Sequence, residues 1–272
     1  MLDIGYTPIL ISPPMRYGSP PMRYGCPPLR CGGNHIAAGG FSRLWAGRPG
    51  VWYNSGPMEK DGKIFAGTFR HHWFFDFDGT LARTGEDIIL AWKKAIADMG
   101  LSCPHFDEVF KIGPTLEKMA YELFDDVTPE MVAELTERFK PNYDESGFPN
   151  TVPYPGVPEK LSALKEKGAR IYVVTNKRHA ATQKIVDVMG WRTLFDGVWS
   201  FDSFPGFRYK KPELLARLLK DLGVDPPDAV MVGDTKGDID AGKANGVYTI
   251  GVTWGYGTRE ELAEADEICE LN

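Results

Sequence analysis

Two carboxylates stand two positions apart at the end of an apolar segment, where residues 73–81 read WFFDFDGTL. Because side chains alternate along a strand, Asp76 and Asp78 would lie on the same face. The carboxyl ends of strands in an open parallel sheet face the ligand crevice, where a charge escapes the penalty of burial in a core. The pattern therefore indicates a catalytic pair of carboxylates. For this segment alone, a strand that ends in an ordinary Asp-Gly turn is an equally open alternative.

A second acidic pair follows another apolar segment, since residues 230–238 read VMVGDTKGD. Asp234 and Asp238 are four positions apart and would lie at a strand end. Carboxylates in that position suit magnesium, a hard cation that binds oxygen ligands and keeps much of its water. The sequence therefore predicts Mg²⁺ as a cofactor.

Two further segments have residues that could bind phosphate. The apolar residues 171–174 run into Thr175 and Asn176. A hydroxyl and nearby backbone amides at a strand end can hold phosphate oxygens, although a helix cap explains this segment alone better. Lys210 and Lys211 precede a leucine-rich stretch, where a lysine could lower the charge of an attacked phosphate. A solvated pair of lysines is the plainer alternative there.

The elements that must position these residues follow from the alternation of short apolar runs with helical patterns from His72 onward. This alternation predicts an α/β fold with a parallel sheet covered on both faces. The predicted strands are 73–77, 170–174, 198–201, 229–232 and 249–252, and the best connecting helices are 158–167 and 213–222. Leucines in the second helix have the spacing of one buried face, and Gly223 stands where a left-handed cap belongs. These leucines are Leu214, Leu215, Leu218, Leu219 and Leu222.

The interval 84–150 breaks this alternation, because it has helical patterns and no credible strand. One helical pattern runs from Ile88 to Met99 and is closed by Gly100, and Thr128-Pro129 opens another. The simplest account is a helical insertion after the first strand.

The first seventy residues are predicted to be a disordered tail. Residues 12–32 read SPPMRYG, SPPMRYG and CPPLRCG, and such a Pro- and Gly-dense repeat cannot build a core. The arginines of this region could belong to an organelle transit segment, but the prolines forbid a sustained amphipathic helix. A disordered tail or a wrongly extended start site fits better, with Met58 as an alternative initiator.

The overall composition argues against several classes of function. A net charge of −6 disfavours a general affinity for nucleic acid, which needs clustered Lys and Arg. No apolar run approaches the ~18 residues of a membrane-spanning helix, and no signal peptide opens the chain. We therefore expect a cytoplasmic protein without a membrane partner. Four scattered cysteines are interpreted as free thiols.

Taken in order, the four motifs resemble those of the haloacid dehalogenase-like hydrolases. These motifs are DxDGT at 76–80, a Thr after an apolar strand, a Lys before a helix, and GDxxxD at 233–238. Each is weak alone, but their joint occurrence in order is specific. The resemblance covers residues 72 to about 271. Within the family, residues 112–116 and 251–257 look like the phosphoglycolate phosphatase branch, which also includes pyrophosphatases and nucleotidases.

This resemblance implies a Rossmann-like catalytic core at 71–83 and 151–272, with a helical cap at 84–150 and the tail at 1–70. It also implies roles for the site residues. Asp76 would be the nucleophile that is transiently phosphorylated, and Asp78 the general acid and base. The implied metal site is formed by Asp76, the Asp78 backbone carbonyl, Asp234 and Asp238, the last of which could orient the shell. The implied phosphate-binding residues are Thr175, Asn176 and Lys211.

Three points stay open at this stage. Many relatives have Lys-Pro-x-Pro at the third motif, whereas this chain has Lys-Lys-Pro-Glu, so Lys210 is an alternative to Lys211. A phosphomutase uses the same four motifs, and a catalytically silent regulatory protein would keep the same fold. The substrate is expected to be a small phosphorylated metabolite, but neither its leaving group nor the oligomeric state follows from the sequence.

Overall fold

The computed structural model describes residues 69–270, so the predicted tail, its heptapeptide repeat and Met58 lie outside the described residues, apart from Phe69 and Arg70. The strands are β1 (His72–Phe75), β2 (Ala82–Arg83), β3 (Val152–Pro153), β4 (Arg170–Thr175), β5 (Gly197–Ser200), β6 (Ala229–Gly233), β7 (Tyr248–Val252) and β8 (Glu267–Cys269). The α-helices are α1 (Gly85–Asp98), α2 (Phe106–Val109), α3 (Leu116–Leu123), α4 (Pro129–Asp144), α5 (Val157–Glu166), α6 (His179–Val188), α7 (Lys211–Leu222) and α8 (Lys236–Ala244).

Six of these strands form one parallel sheet in the order β5-β4-β1-β6-β7-β8. The five predicted strands are confirmed to within two residues at each end. The sequence did not predict β8, which has only three residues and begins with a charged glutamate. Such a short edge strand has too few positions to show an alternating pattern.

Both faces of the sheet are buried, as predicted for a parallel sheet. Alternate residues of β1 belong to different apolar clusters, with Phe75 on one side and Phe74 on the other. Phe75 shares its cluster with Leu161 of α5 and Ile185 of α6. Phe74 shares the other cluster with residues of α7, including Leu214. The helices therefore cover the sheet in two layers and leave the strand ends for the site.

Helix α7 confirms four of the five leucines predicted to be buried and the left-handed glycine after them. Leu214, Leu215, Leu218 and Leu219 are buried, and Gly223 has φ 65°. Leu222 is 37% exposed, so the prediction is wrong for this position. Its exposure follows from its place as the last residue of the helix, where the chain turns away at Gly223.

Helices α1 to α4 form an insertion between β2 and β3, and no strand occurs within it. The predicted start at Thr128 is confirmed, because its hydroxyl accepts a hydrogen bond from the backbone N–H of Met131 at 3.2 Å. Helix α1 packs on α4 through Trp92 and Phe139, whose ring centroids are 5.8 Å apart. No helix among residues 69–270 combines the length and hydropathy needed to cross a membrane.

The two ends of the insertion are joined by a short antiparallel ribbon, in which Ala82 pairs with Pro153 and Arg83 with Val152. The buried Asp87 of α1 reinforces this junction. Its carboxylate accepts hydrogen bonds from Asn150 Nδ2 at 2.9 Å and from Thr151 Oγ1 at 2.6 Å. The sequence did not predict the ribbon, because strands of two residues have no periodicity.

Candidate active site

Three neighbouring strands bring polar side chains to one edge of the sheet. Asp76 follows β1, Thr175 ends β4, and Asp234 follows β6. Since β4, β1 and β6 are adjacent and parallel, their carboxyl ends meet at the same edge. All three side chains are buried. The structure therefore brings together residues that the sequence placed at separate strand ends.

The Asp76 carboxylate has one oxygen bound by the protein and one without a partner among residues 69–270. Its Oδ2 lies 3.0 Å from Nζ of Lys211. Its Oδ1 is buried and accepts no hydrogen bond within the described part of the chain. Buried carboxylate oxygens without partners are rare and call for a functional explanation. The free oxygen marks where an external partner of Asp76 would bind.

Lys211 is the cation of this site. Its buried ammonium lies 2.5 Å from Oδ1 of Asp238 in addition to its contact with Asp76. Burial alone would lower the pKa of Lys211, but the charges of Asp238 and Asp76 raise this pKa above its ordinary value. Lys210, the alternative, is exposed at the start of α7, where its backbone N–H donates to Glu213 Oε2 at 3.0 Å. The structure thus brings Lys211 and not Lys210 to the site.

Asp238 is engaged on both carboxylate oxygens. Its Oδ1 accepts from Lys211, and its Oδ2 accepts from the backbone N–H of Thr235 at 3.0 Å and from the Thr235 hydroxyl at 2.7 Å. These bonds close the first turn of α8 as a capping box. Burial raises the pKa of Asp238, against the opposing effect of Lys211. Its hydrogen bond with the Lys211 ammonium suits a role in orienting that lysine.

The Asp234 carboxylate lies so close to the backbone of two glycines that no other residue would fit at their positions. Its Oδ1 accepts from the Thr80 hydroxyl at 2.8 Å, and its Oδ2 accepts from the backbone N–H of Tyr256 at 2.7 Å. A Cβ atom at Gly79 or Gly255 would overlap the Asp234 carboxylate. Gly79 also has φ 82°, a conformation that L side chains rarely adopt. The DGT and WGYG segments are therefore shaped around this carboxylate.

The carboxylates of the site fit a divalent cation. One oxygen from each of Asp76, Asp234 and Asp238 lies within 4.8 Å of the others. Burial and the charges of Asp238 and Asp76 raise the pKa of Asp234 to about 8. Lys211 neutralises only part of this negative charge, and Asp76 Oδ1 has no donor in the described part of the protein. A hard cation with oxygen ligands would offset the repulsion and occupy that oxygen.

Asp78 does not share the contacts of these three carboxylates. Its oxygens lie 2.9 and 3.2 Å from Nζ of Lys177, which also donates to the hydroxyl of Tyr143 at 2.6 Å. Tyr143 belongs to α4 of the insertion. No role was predicted from the sequence for Lys177 or Tyr143. Asp76 and Asp78 thus have separate cationic partners, Lys211 and Lys177.

Thr175 and Asn176 do not cap a helix, so the capping alternative is wrong. Helix α6 begins at His179, with Arg178 in the capping position. The Thr175 hydroxyl accepts from the backbone N–H of Lys177 at 3.2 Å. Asn176 Nδ2 donates to the carbonyl of Gly113 at 3.4 Å, which brings a loop of the insertion to the edge of the site.

Comparison with known proteins identifies the family of this chain. The family model for haloacid dehalogenase-like hydrolases matches residues 73–252. A phosphoglycolate phosphatase of Aquifex aeolicus is 37% identical over 183 residues, which cover 67% of this chain and 84% of that protein. A phosphoglycolate phosphatase of Haemophilus influenzae is 33% identical over 201 residues, 71% of this chain and 89% of that protein. The crystal structure of a predicted phosphatase from Clostridium acetobutylicum superposes with a TM-score of 0.65, at 26% identity, over 75% of this chain and 95% of that chain.

The chain belongs to the haloacid dehalogenase-like hydrolase family. Within that family it is a phosphatase that resembles the phosphoglycolate phosphatases. The resemblance drawn from the four motifs is thereby confirmed for the family and for the class of enzyme.

Proposed function

We propose that this phosphatase hydrolyses a small phosphomonoester with Mg²⁺, through a phosphorylated intermediate on Asp76. The observation that carries the proposal is the Asp76 carboxylate at the end of strand β1, held on one oxygen by Lys211 and without a partner on the other among the described residues. A buried carboxylate oxygen without a protein partner is suited to attack a substrate atom or to bind a metal. Both uses belong to this proposal.

In the first step, the Asp76 carboxylate attacks phosphorus and the bond from phosphorus to the leaving alkoxide breaks. Asp78 gives a proton to that alkoxide. In the second step, water attacks the phosphoryl group, Asp78 takes a proton from the water, and the bond to Asp76 breaks to release phosphate. One carboxyl group serves in both steps, because the acid of the first is the base of the second.

The other site residues would hold the phosphoryl group. Lys211 is fixed beside Asp76 by Asp238 and offers a positive charge to the oxygens of an attacked phosphate. Thr175 offers a hydroxyl at the end of β4, and Asn176 an amide beside it. Preorganised donors of this kind cost no reorganisation when the charge develops.

The metal would be held by Asp76, Asp234 and the backbone carbonyl of Asp78. When bound, Mg²⁺ would offset the repulsion between the carboxylates and a phosphate dianion. Asp238 would act on this arrangement through Lys211, with which it shares a hydrogen bond. The arrangement of three buried carboxylates with one ammonium supports this part of the proposal.

The substrate would be phosphoglycolate or a compound of similar size, with nucleotides and pyrophosphate as the alternatives. Two observations support this choice. The relatives at 37% and 33% identity are phosphoglycolate phosphatases, and the loop at Gly113 lies against Asn176 at the edge of the site. A loop of the insertion at this position limits the room for a leaving group.

A screen of phosphoglycolate, pyrophosphate, nucleoside monophosphates and sugar phosphates tests the proposal. We expect phosphate release with Mg²⁺ from a small phosphomonoester, none in excess chelator, and none from Asp76→Asn. Release that chelator does not diminish would overturn the metal assignment. Transfer of the phosphoryl group to a second substrate hydroxyl, without phosphate release, would identify a phosphomutase instead.

A further inference from the structure

A buried chain of three polar groups connects the insertion to Asp78. The Tyr143 hydroxyl accepts a hydrogen bond from the Lys177 ammonium at 2.6 Å. The same ammonium lies 2.9 and 3.2 Å from the two oxygens of Asp78. The Lys177 and Asp78 side chains are only 5% and 12% exposed. The three residues are far apart in the sequence, and the fold brings them into one chain of contacts.

We propose that Lys177 is a positioning residue that fixes the Asp78 carboxyl for proton transfer, and that Tyr143 makes this arrangement depend on the docked insertion. This inference rests on the proposed function, because it deepens the role given there to Asp78. In this role Lys177 acts through Asp78 and does not touch the reacting atoms.

The geometry explains why Asp78 needs a positioning residue. Within residues 69–270, the hydrogen bonds of the Asp78 carboxylate are made to Lys177. A lysine has a long flexible stem, and ordering it costs side-chain entropy. Tyr143 holds the ammonium from the other side, and its ring centroid lies 4.5 Å from Nζ. The orientation of Asp78 thus depends on a side chain from the insertion.

A neighbouring ion pair joins the same two elements and supplies a matched control. Arg178 is hydrogen-bonded to the Asp144 carboxylate, one residue further along each segment. This pair connects α4 to the start of α6, as Lys177 and Tyr143 do, and within residues 69–270 it is not hydrogen-bonded to Asp78. Loss of this pair would disturb the docking of the insertion and leave the Lys177 contact with Asp78 in place.

The test compares two substrates that differ in their need for an acid. The alcohol of phosphoglycolate requires a proton to leave, whereas nitrophenolate leaves readily without one. The value of kcat/KM reports the steps up to loss of the leaving group, so the ratio of kcat/KM for the two substrates measures proton transfer. A change that only loosens the fold lowers both values and leaves the ratio unchanged.

We expect Lys177→Met to lower kcat/KM for phosphoglycolate by about 10- to 100-fold, part of the 10² to 10⁴ that proton transfer supplies. The value for nitrophenyl phosphate should fall by less than about threefold, because that reaction does not need the acid. In an Asp78→Asn background, Lys177→Met should cause no further loss with phosphoglycolate, since the two residues act as a unit. Asp144→Asn should leave the ratio at the wild-type value.

Tyr143→Phe removes a single hydroxyl and keeps the test decisive if Lys177→Met does not fold. It should shift the ratio in the same direction, by about three- to tenfold, as expected for one lost hydrogen bond to a charged group. Equal losses on both substrates for Lys177→Met and Tyr143→Phe, while Asp78→Asn changes the ratio, would overturn the inference alone. A ratio unchanged in Asp78→Asn would overturn the acid role in the proposed function, and the inference with it.

Discussion

The ammonium of Lys211 lies 3.0 Å from Oδ2 of Asp76, so the first residue of α7 is in contact with the first residue after β1. The same ammonium is held at 2.5 Å by Asp238. This contact ties the candidate nucleophile to the N-terminal turns of two helices. It also leaves Asp76 Oδ1 as the carboxylate oxygen that has no partner within residues 69–270.

Substitution of the two adjacent lysines should therefore have very different effects on activity and stability. We expect Lys211→Met to lower kcat/KM by about 10² to 10³, the usual cost of losing one preorganised donor at a developing charge. It should also lower the melting temperature, because it leaves buried carboxylates without their cation. Lys210→Met should change kcat/KM by less than about threefold, since Lys210 is exposed. Phosphate release and thermal melting of both variants check this expectation, and similar losses for the two would contradict it.

The roles of the two carboxylates of the DxDGT motif should also be distinguishable by substitution. Asp76→Asn keeps the shape of the side chain and removes the attacking charge, so turnover should fall to background and no phosphoenzyme should form. Asp78→Asn should still become phosphorylated with nitrophenyl phosphate and react far more slowly with an alkyl phosphate. Rapid quench followed by intact-mass measurement should detect a species about 80 Da heavier, the phosphoryl group kept in covalent catalysis, only where Asp76 is present.

One result of this measurement would contradict the assignment of these two roles. If the heavier species accumulates in Asp76→Asn and never in Asp78→Asn with either substrate, the nucleophile has been misassigned. Wild-type protein quenched under the same conditions is the control for trapping efficiency.

Mg²⁺ binding should be measurable without reference to activity. We expect Mg²⁺ to raise the melting temperature of chelator-treated protein, because a ligand that binds only the folded state stabilises it. Asp234→Asn should lose most of this shift, since Asp234 is a buried member of the carboxylate group. Asp240→Asn is the matched control, because Asp240 lies nearby in α8, half-exposed and paired with Lys236. An unchanged shift in Asp234→Asn would remove Asp234 from the metal site.

Without metal, the folded state should become less stable as pH rises, because a carboxylate of the site has a raised pKa. The pKa of Asp234 is raised by burial and by Asp238 and Asp76 to about 8, above its value in the unfolded chain. The protonated form is therefore favoured by folding, and its contribution is lost as pH rises from about 4 through about 8. The loss is at most about 1.4 kcal/mol per pH unit for one proton. Asp238, whose pKa burial also raises, contributes in the same direction.

Thermal melting of chelator-treated protein between about pH 5 and pH 8 checks this sign. The melting temperature should fall as pH rises, and it should fall less steeply in Asp234→Asn. The stabilisation by Mg²⁺ should grow over the same range, because metal ligands must be deprotonated to bind. A melting temperature that rises with pH in both proteins would contradict the assignment.

The strand ends of the site could be predicted from sequence because their positions depend on local rules. Asp76, Thr175 and Asp234 each follow an apolar run, and a parallel sheet brings such ends to one edge. The choice of Lys211 over Lys210 followed from its place directly before Pro212, which lies in the first turn of α7. None of these inferences needed the packing of side chains from distant elements.

The contact of Lys177 with Tyr143 could not be predicted in the same way, because it depends on how the insertion docks on the sheet. A partial signal was present in the chain. Leu135 and Phe139 are apolar residues four positions apart in α4, and another step of four residues reaches Tyr143, which is buried with them. This spacing identifies a buried tyrosine, but it does not identify the core residue that its hydroxyl meets.

The ribbon of β2 and β3 makes the insertion an exchangeable module. The chain leaves the core at Arg83 and returns at Val152, and these two residues are directly paired. A short turn in place of the four helices would join the same two positions and leave the order of the six sheet strands unchanged. Mutations, lengthening or replacement within the insertion can therefore alter the choice of leaving group during evolution, while the strand ends that carry Asp76, Thr175 and Asp234 are preserved.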